Sequence, residues 1–88
     1  MSWRAELSDA AERQLKRLPR DVQQRMGRAI DDLEVDPFRG DVISLKGRRW
    51  QGRYRKRVGR YRIIFVPNHA EHIVEISAIL LRNEKTYQ

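Results

Sequence analysis

The chain is predicted to fold as an α+β domain in which two antiparallel N-terminal helices pack on an antiparallel sheet, in the order β-α-α-β-β-β. Three observations carry this. Apolar residues recur at helical spacing between residues 8 and 35. From residue 53 onward the period changes to two. Between two such runs stands Gly59-Arg60, a two-residue connection with Gly first, which is a hairpin signal. Helices followed by strands, rather than alternating with them, give helices on one face of an antiparallel sheet.

"WRAEL", 3–7, is a short first strand. "SDAAERQLKRLP", 8–19, opens like a helix, with Ser8 as N-cap and Asp9 in the first turn. Ala11, Leu15 and Leu18 form its apolar stripe, and Pro19 ends it or opens the next helix. "RDVQQRMGRAIDDLEVD" places Val22, Met26, Ala29, Ile30 and Leu33 on one helical face before Asp36-Pro37 stops it. "FRGDVISLKGRRWQG" reads as irregular, anchored to the core by Val42, Ile43 and Leu45. "RYRKRV" and "YRIIFV" are the hairpin strands, and "HIVEISAILL" is a long β-branched strand suited to the sheet centre. "RNEKTYQ" is a polar tail. No repeat or second domain interrupts residues 1–88.

Eighty-eight residues suit one small domain. With no Cys, disulfides and thiolate zinc sites are excluded. No apolar run approaches the ~18 residues of a membrane span, and "MSWRAELSD" holds no apolar signal core. The expectation is a soluble cytoplasmic domain that does not enter a membrane.

The net charge is +7, and it is unevenly spread. Residues 1–44 carry eight Lys/Arg and nine Asp/Glu, whereas residues 45–88 carry eleven and three. Residues 46–62 hold nine basic residues and no acid. A concentrated positive field attracts polyanions, nucleic acid first among them.

Strand alternation puts Arg53, Arg55 and Arg57 on one face and Tyr54, Lys56 and Val58 on the other. Pairing across Gly59-Arg60 sets Val58 opposite Tyr61 and Arg57 opposite Arg62. Tyr61, Ile63 and Phe65 then face the helices, while Arg55, Arg57 and Arg62 converge on the far side. Like charges opposed across a ladder destabilise a sheet. Such a cluster points to a bound anion, and the planar guanidinium fork suits phosphate. Lys56 breaks the apolar pattern of the inner side and is expected to snorkel to an edge. His69 and His72 flank a turn far from the cluster and read as loop residues. Trp3 and Trp50 read as packing.

"LKG" at 45–47, "YRKRVGRYRIIF" at 54–65 and "ILLRNEKTYQ" at 79–88, taken together and in this order, resemble the RelE branch of the RelE/ParE toxin superfamily, the toxins of type II toxin–antitoxin pairs. The resemblance covers nearly the whole chain. It implies a curved sheet under the two helices. It also implies a metal-independent, cofactor-free mRNA interferase, an endoribonuclease that enters the ribosomal A site and cuts mRNA through the 2′-hydroxyl, leaving a 2′,3′-cyclic phosphate. The implied partners are mRNA, the ribosome and a RelB-like antitoxin encoded beside the toxin, through which the complex would bind operator DNA.

Carried over by position, the catalytic candidates are Arg55 and Arg57 on the first hairpin strand, Arg62 on the second, Arg82 after the last strand and Tyr87 near the terminus. Relatives often have Lys where this chain has Arg55 and Arg57. Arg holds its proton and makes a poor proton shuttle, which shifts the load of acid–base work to Tyr87. An arginine cluster favours its phenolate. Lys46, Arg48, Arg49, Arg53, Lys56, Arg60 and Lys85 are candidates for binding RNA. The ParE branch shares the fold, lacks the ribonuclease residues and inhibits DNA gyrase. A third reading is a catalytically inert partner of a DNA-binding antitoxin, although no helix-turn-helix signal stands out.

Overall fold

The computed structural model describes residues 3–82. β1 (Arg4–Leu7) leads into helices α1 (Asp9–Lys16) and α2 (Arg20–Val35). Strands β2 (Val42–Ser44), β3 (Tyr54–Val58), β4 (Tyr61–Asn68) and β5 (Ile73–Leu81) follow, with one 3₁₀ turn at Arg48–Trp50. The sheet order is β1-β5-β4-β3-β2. Four strands run antiparallel in sequence, and β1 joins β5 in parallel.

The first helix starts where its cap chemistry places it. Ser8 Oγ accepts the Ala11 N–H at 3.1 Å and donates to the Ser77 carbonyl at 3.0 Å, so one hydroxyl caps α1 and ties it to β5. Ser8→Ala is expected to cost about 1 kcal/mol, read as a fall in melting temperature of about 4–8 °C. Gln14 adds a second tie, its Oε1 accepting the Ile79 N–H at 2.7 Å beyond the end of the β1–β5 pairing.

The expected helical stripes form the core. Ala11, Val22, Met26, Ala29 and Leu33 are buried against Ile63, Phe65, Val74, Ile76 and Ile79 of the sheet, with Leu15, Leu18 and Ile30 packed at the margin. In β5 the inward residues step from Ile76 to Ile79, and a bulge opposite Ile64/Phe65 absorbs the extra residue. Ser77 sits in that bulge and donates to the Ile64 carbonyl.

Two details differ from the sequence expectation. The stretch read as irregular contains β2, paired to β3 through Val42↔Lys56, Ile43↔Arg55 and Ser44↔Tyr54. Strand alternation then turns Val42 toward the core but leaves Ile43 half exposed, at 50%, so Ile43 does not anchor the loop. The sheet is mixed rather than purely antiparallel, because β1 lies along the far edge of β5 and its direction follows that strand. The outer edge of β1 is covered by α2, where Glu34 accepts the Ala5 N–H at 2.8 Å. No helix among the described residues is long and apolar enough to cross a membrane.

Candidate functional site

The hairpin register is the one that its turn dictates. Gly59 has φ of 58°, the left-handed conformation that a primed turn requires. Val58 stands opposite Tyr61, and Arg57 opposite Arg62. β5 continues the ladder on the other side, and the Arg82 N–H donates to the Arg60 carbonyl at 2.7 Å. Arg57, Arg60, Arg62 and Arg82 are thereby gathered at the hairpin end of the sheet.

Their environments differ. Arg57 keeps its side chain 47% exposed. Arg60 and Arg82 are exposed. Arg62 is only 3% exposed; its Nη1 donates to the carbonyls of Tyr61 at 2.9 Å and Gly59 at 3.3 Å, folding the guanidinium back over the turn. Arg62 thus lies on the face away from the helices, as its register requires, yet it is shielded from solvent. Ile64, on the same face of the sheet, is also buried.

Arg55 is buried too, and it is held by a residue that the sequence reading did not single out. Asp41 Oδ1 lies 3.1 Å from Arg55 Nη1, and its Oδ2 lies 3.4 Å from Arg57 Nε. One carboxylate thus spans two arginines of β3. Asp41 is the only acid between Asp36 and Glu71, which is the sequence signal that it must serve the basic segment as counter-ion. Its backbone carbonyl accepts the Arg57 N–H at 3.0 Å, which fixes it beside β3.

Of the candidates for RNA contact, Lys46, Arg48, Arg49 and Arg60 are exposed and Arg53 is half-buried. Arg53 lines a ≈ 350 Å³ cleft with Glu6, Val66, Glu75 and Ser77. Lys56 lies elsewhere. It pairs with Val42 and with Ile63, a core residue, on the helix-facing side, and is 8% exposed rather than snorkelled into solvent. Tyr87 and Lys85 fall outside the described residues. Among the described residues no three His, Asp or Glu side chains gather as they would around a metal ion.

The histidines lie in the turn between β4 and β5, as read from the sequence, and both stack on aromatic rings there. His72 stacks on Trp3 with ring centroids 4.5 Å apart, and His69 stacks on Phe38 at 5.7 Å. Tyr54 and Phe65 extend this aromatic array from the rim into the core, at the end of β4 away from the hairpin.

Residues 5–86 match the family model described as the ParE toxin of type II toxin–antitoxin systems. No protein of curated function is similar in sequence. Among solved structures, the chain is similar to the archaeal RelE–RelB complex from Pyrococcus horikoshii, with 28% identity and a TM-score of 0.81 over 96% of this chain and 99% of that one. It also superposes on the RelBE2 toxin–antitoxin complex from Mycobacterium tuberculosis, with 23% identity and a TM-score of 0.84 over 93% and 100% of the two chains. The isolated RelE toxin from E. coli shares the fold at 12% identity, with a TM-score of 0.78 over 96% and 88%.

Proposed function

The chain belongs to the ParE toxin family of type II toxin–antitoxin systems, within the RelE/ParE superfamily, and we propose that it acts there as a ribosome-dependent mRNA endoribonuclease held in check by a RelB-like antitoxin. The observation that carries this is Arg57 set directly opposite Arg62, with Arg60 and Arg82 beside them. Two arginines opposed on one ladder concentrate positive charge of the kind that stabilises a phosphorane.

The reaction forms a bond from the ribose 2′-oxygen to phosphorus and breaks the bond from phosphorus to the 5′-oxygen. A 2′,3′-cyclic phosphate and a 5′-hydroxyl result. One proton leaves the 2′-hydroxyl and one reaches the departing 5′-oxygen. Charge builds on the nonbridging oxygens, where Arg57 is the accessible donor and Arg62 the buried charge behind it. Asp41 orients Arg57 from the other side. Arginine does not shuttle protons at neutral pH, so the proton steps fall to Tyr87 or to groups that the ribosome brings. Arg82 and the exposed cations Lys46, Arg48, Arg49 and Arg60 supply RNA contacts.

Mapping new 5′ ends on one mRNA, with and without ribosomes, tests the reading. Cuts that require ribosomes support it. Binding to single-stranded RNA is expected to weaken with salt at a log–log slope of about −4, from six exposed cations at about −0.7 each, and a flat profile argues against an RNA surface.

The ParE match favours a second reading, in which the chain inhibits DNA gyrase without cleaving RNA. Intact mRNA together with inhibited gyrase supercoiling selects it.

A further inference from the structure

Lys56 is a buried charge that the arginine face does not use. Its side chain is on the helix-facing side of β3, and among the described residues it forms no hydrogen bond or ion pair. It lines a ≈ 360 Å³ cavity with Asp32 and Val35 of α2, Arg39 and Gly40. That volume is at the small end of ligand pockets, about 300–1,000 Å³. Gly40 has φ of 87°, and a Cβ there would come within 3.4 Å of Lys56 Nζ. The left-handed φ favours glycine there, and the ammonium lies beside it at the cavity wall. The ammonium is at the cavity wall without an ion pair among the described residues, so a carboxylate entering this cavity gains a charge-assisted bond.

The surroundings suit a polypeptide rather than a free ion. Val35, at the cavity wall, is an exposed apolar side chain. β2, which pairs Val42 with Lys56, is the last strand of the sheet, and among the described residues no strand pairs with its outer edge, a position suited to an added strand. Lys56 and Arg39 outweigh Asp32, which matches the positive charge of the whole chain and selects an acidic partner. RNA held on the opposite face of β3 does not reach this side.

We propose that the cavity under Gly40 receives an Asp or Glu side chain of the antitoxin, seated against Val35 and bonded to Lys56. This rests on the antitoxin-partner reading above. The test is calorimetric titration of the purified chain with the antitoxin encoded beside it. Lys56→Met, which keeps the volume and removes the charge, is expected to weaken binding about ten- to a hundredfold. Asp32→Asn, an exposed change, is expected to tighten binding a few-fold by removing a repelling carboxylate. Unbound Lys56→Met is expected to melt no lower than the wild type, because it keeps the packed aliphatic stem and breaks no ion pair or hydrogen bond among the described residues. Wild-type complex formation with unchanged affinity in Lys56→Met overturns this inference alone. So does a weaker complex in Asp32→Asn, or a Lys56 side-chain NMR signal that inorganic phosphate shifts as the antitoxin does. A wild-type chain that forms no complex overturns the partner reading and this inference with it.

Discussion

Arg57→Ala is expected to slow ribosome-dependent mRNA cleavage by about 10²–10³-fold, the usual consequence of deleting one prepositioned donor to a developing oxyanion. The same change is expected to leave folding stability within about 0.5 kcal/mol. Two facts set the second number. The Arg57 side chain is half exposed, and its pair with Asp41, at 3.4 Å, is a surface pair worth about 0–1 kcal/mol. Against that loss, removing Arg57 relieves the repulsion from Arg62 directly across the ladder. Single-turnover cleavage in a purified translation system, with a urea melt of the same preparation, reads both numbers. Arg57→Lys keeps the charge but not the fork, so an intermediate loss of about tenfold is expected. A fully active Arg57→Ala moves the scissile phosphate away from this pair.

Arg62→Ala is the less informative variant. It removes a buried side chain and two bonds to the turn carbonyls of Gly59 and Tyr61. The expected cost is about 1–3 kcal/mol, so lost activity would report a loosened hairpin as much as a missing charge. The pairing of stability with activity is what makes Arg57 the cleaner probe.

Why the sequence foretells some of this and not the rest follows from the range of each interaction. The helical stripes, the Ser8 cap and the Gly59-Arg60 turn are local. Val22, Met26 and Leu33 need only their spacing to declare a buried face, and the register Val58↔Tyr61 follows from the turn. β2 has three residues, too few to show a period, and its strand character exists only through β3, more than ten residues later. The Asp41 bridge is likewise nonlocal, because it requires β2 to be placed before the carboxylate can meet Arg55. Alternation assigns Arg62 and Ile64 to the face away from the helices correctly, but it treats that face as solvated. Arg62 and Ile64 are buried there while Arg57 is half exposed, and period-two patterning carries no information about depth. Lys56 fails for the same reason: its face is legible, its burial is not.

Asp41→Ala is expected to destabilise the fold by about 1.5–3 kcal/mol, lowering the melting temperature by about 6–24 °C. The Arg55 side chain is 10% exposed, and its ion pair is to the Asp41 carboxylate, at 3.1 Å. Deleting one partner of a fully buried pair costs about 3–5 kcal/mol, because the other charge remains without compensation. Asp41 itself is half exposed, so water screens part of the interaction and the figure is reduced accordingly. Asp41→Asn keeps an oxygen acceptor near Arg55 Nη1 and is expected to lose about half as much. The decisive comparison is Arg55→Met with and without Asp41→Ala. If Asp41 acts by neutralising Arg55, the second substitution is nearly neutral once the arginine is gone, and the double-mutant cycle returns a coupling of about 1–3 kcal/mol. Additive losses would mean that Asp41 stabilises the β2–β3 junction through its backbone position alone, and that the positive charge of Arg55 is tolerated by the sheet without a counter-ion.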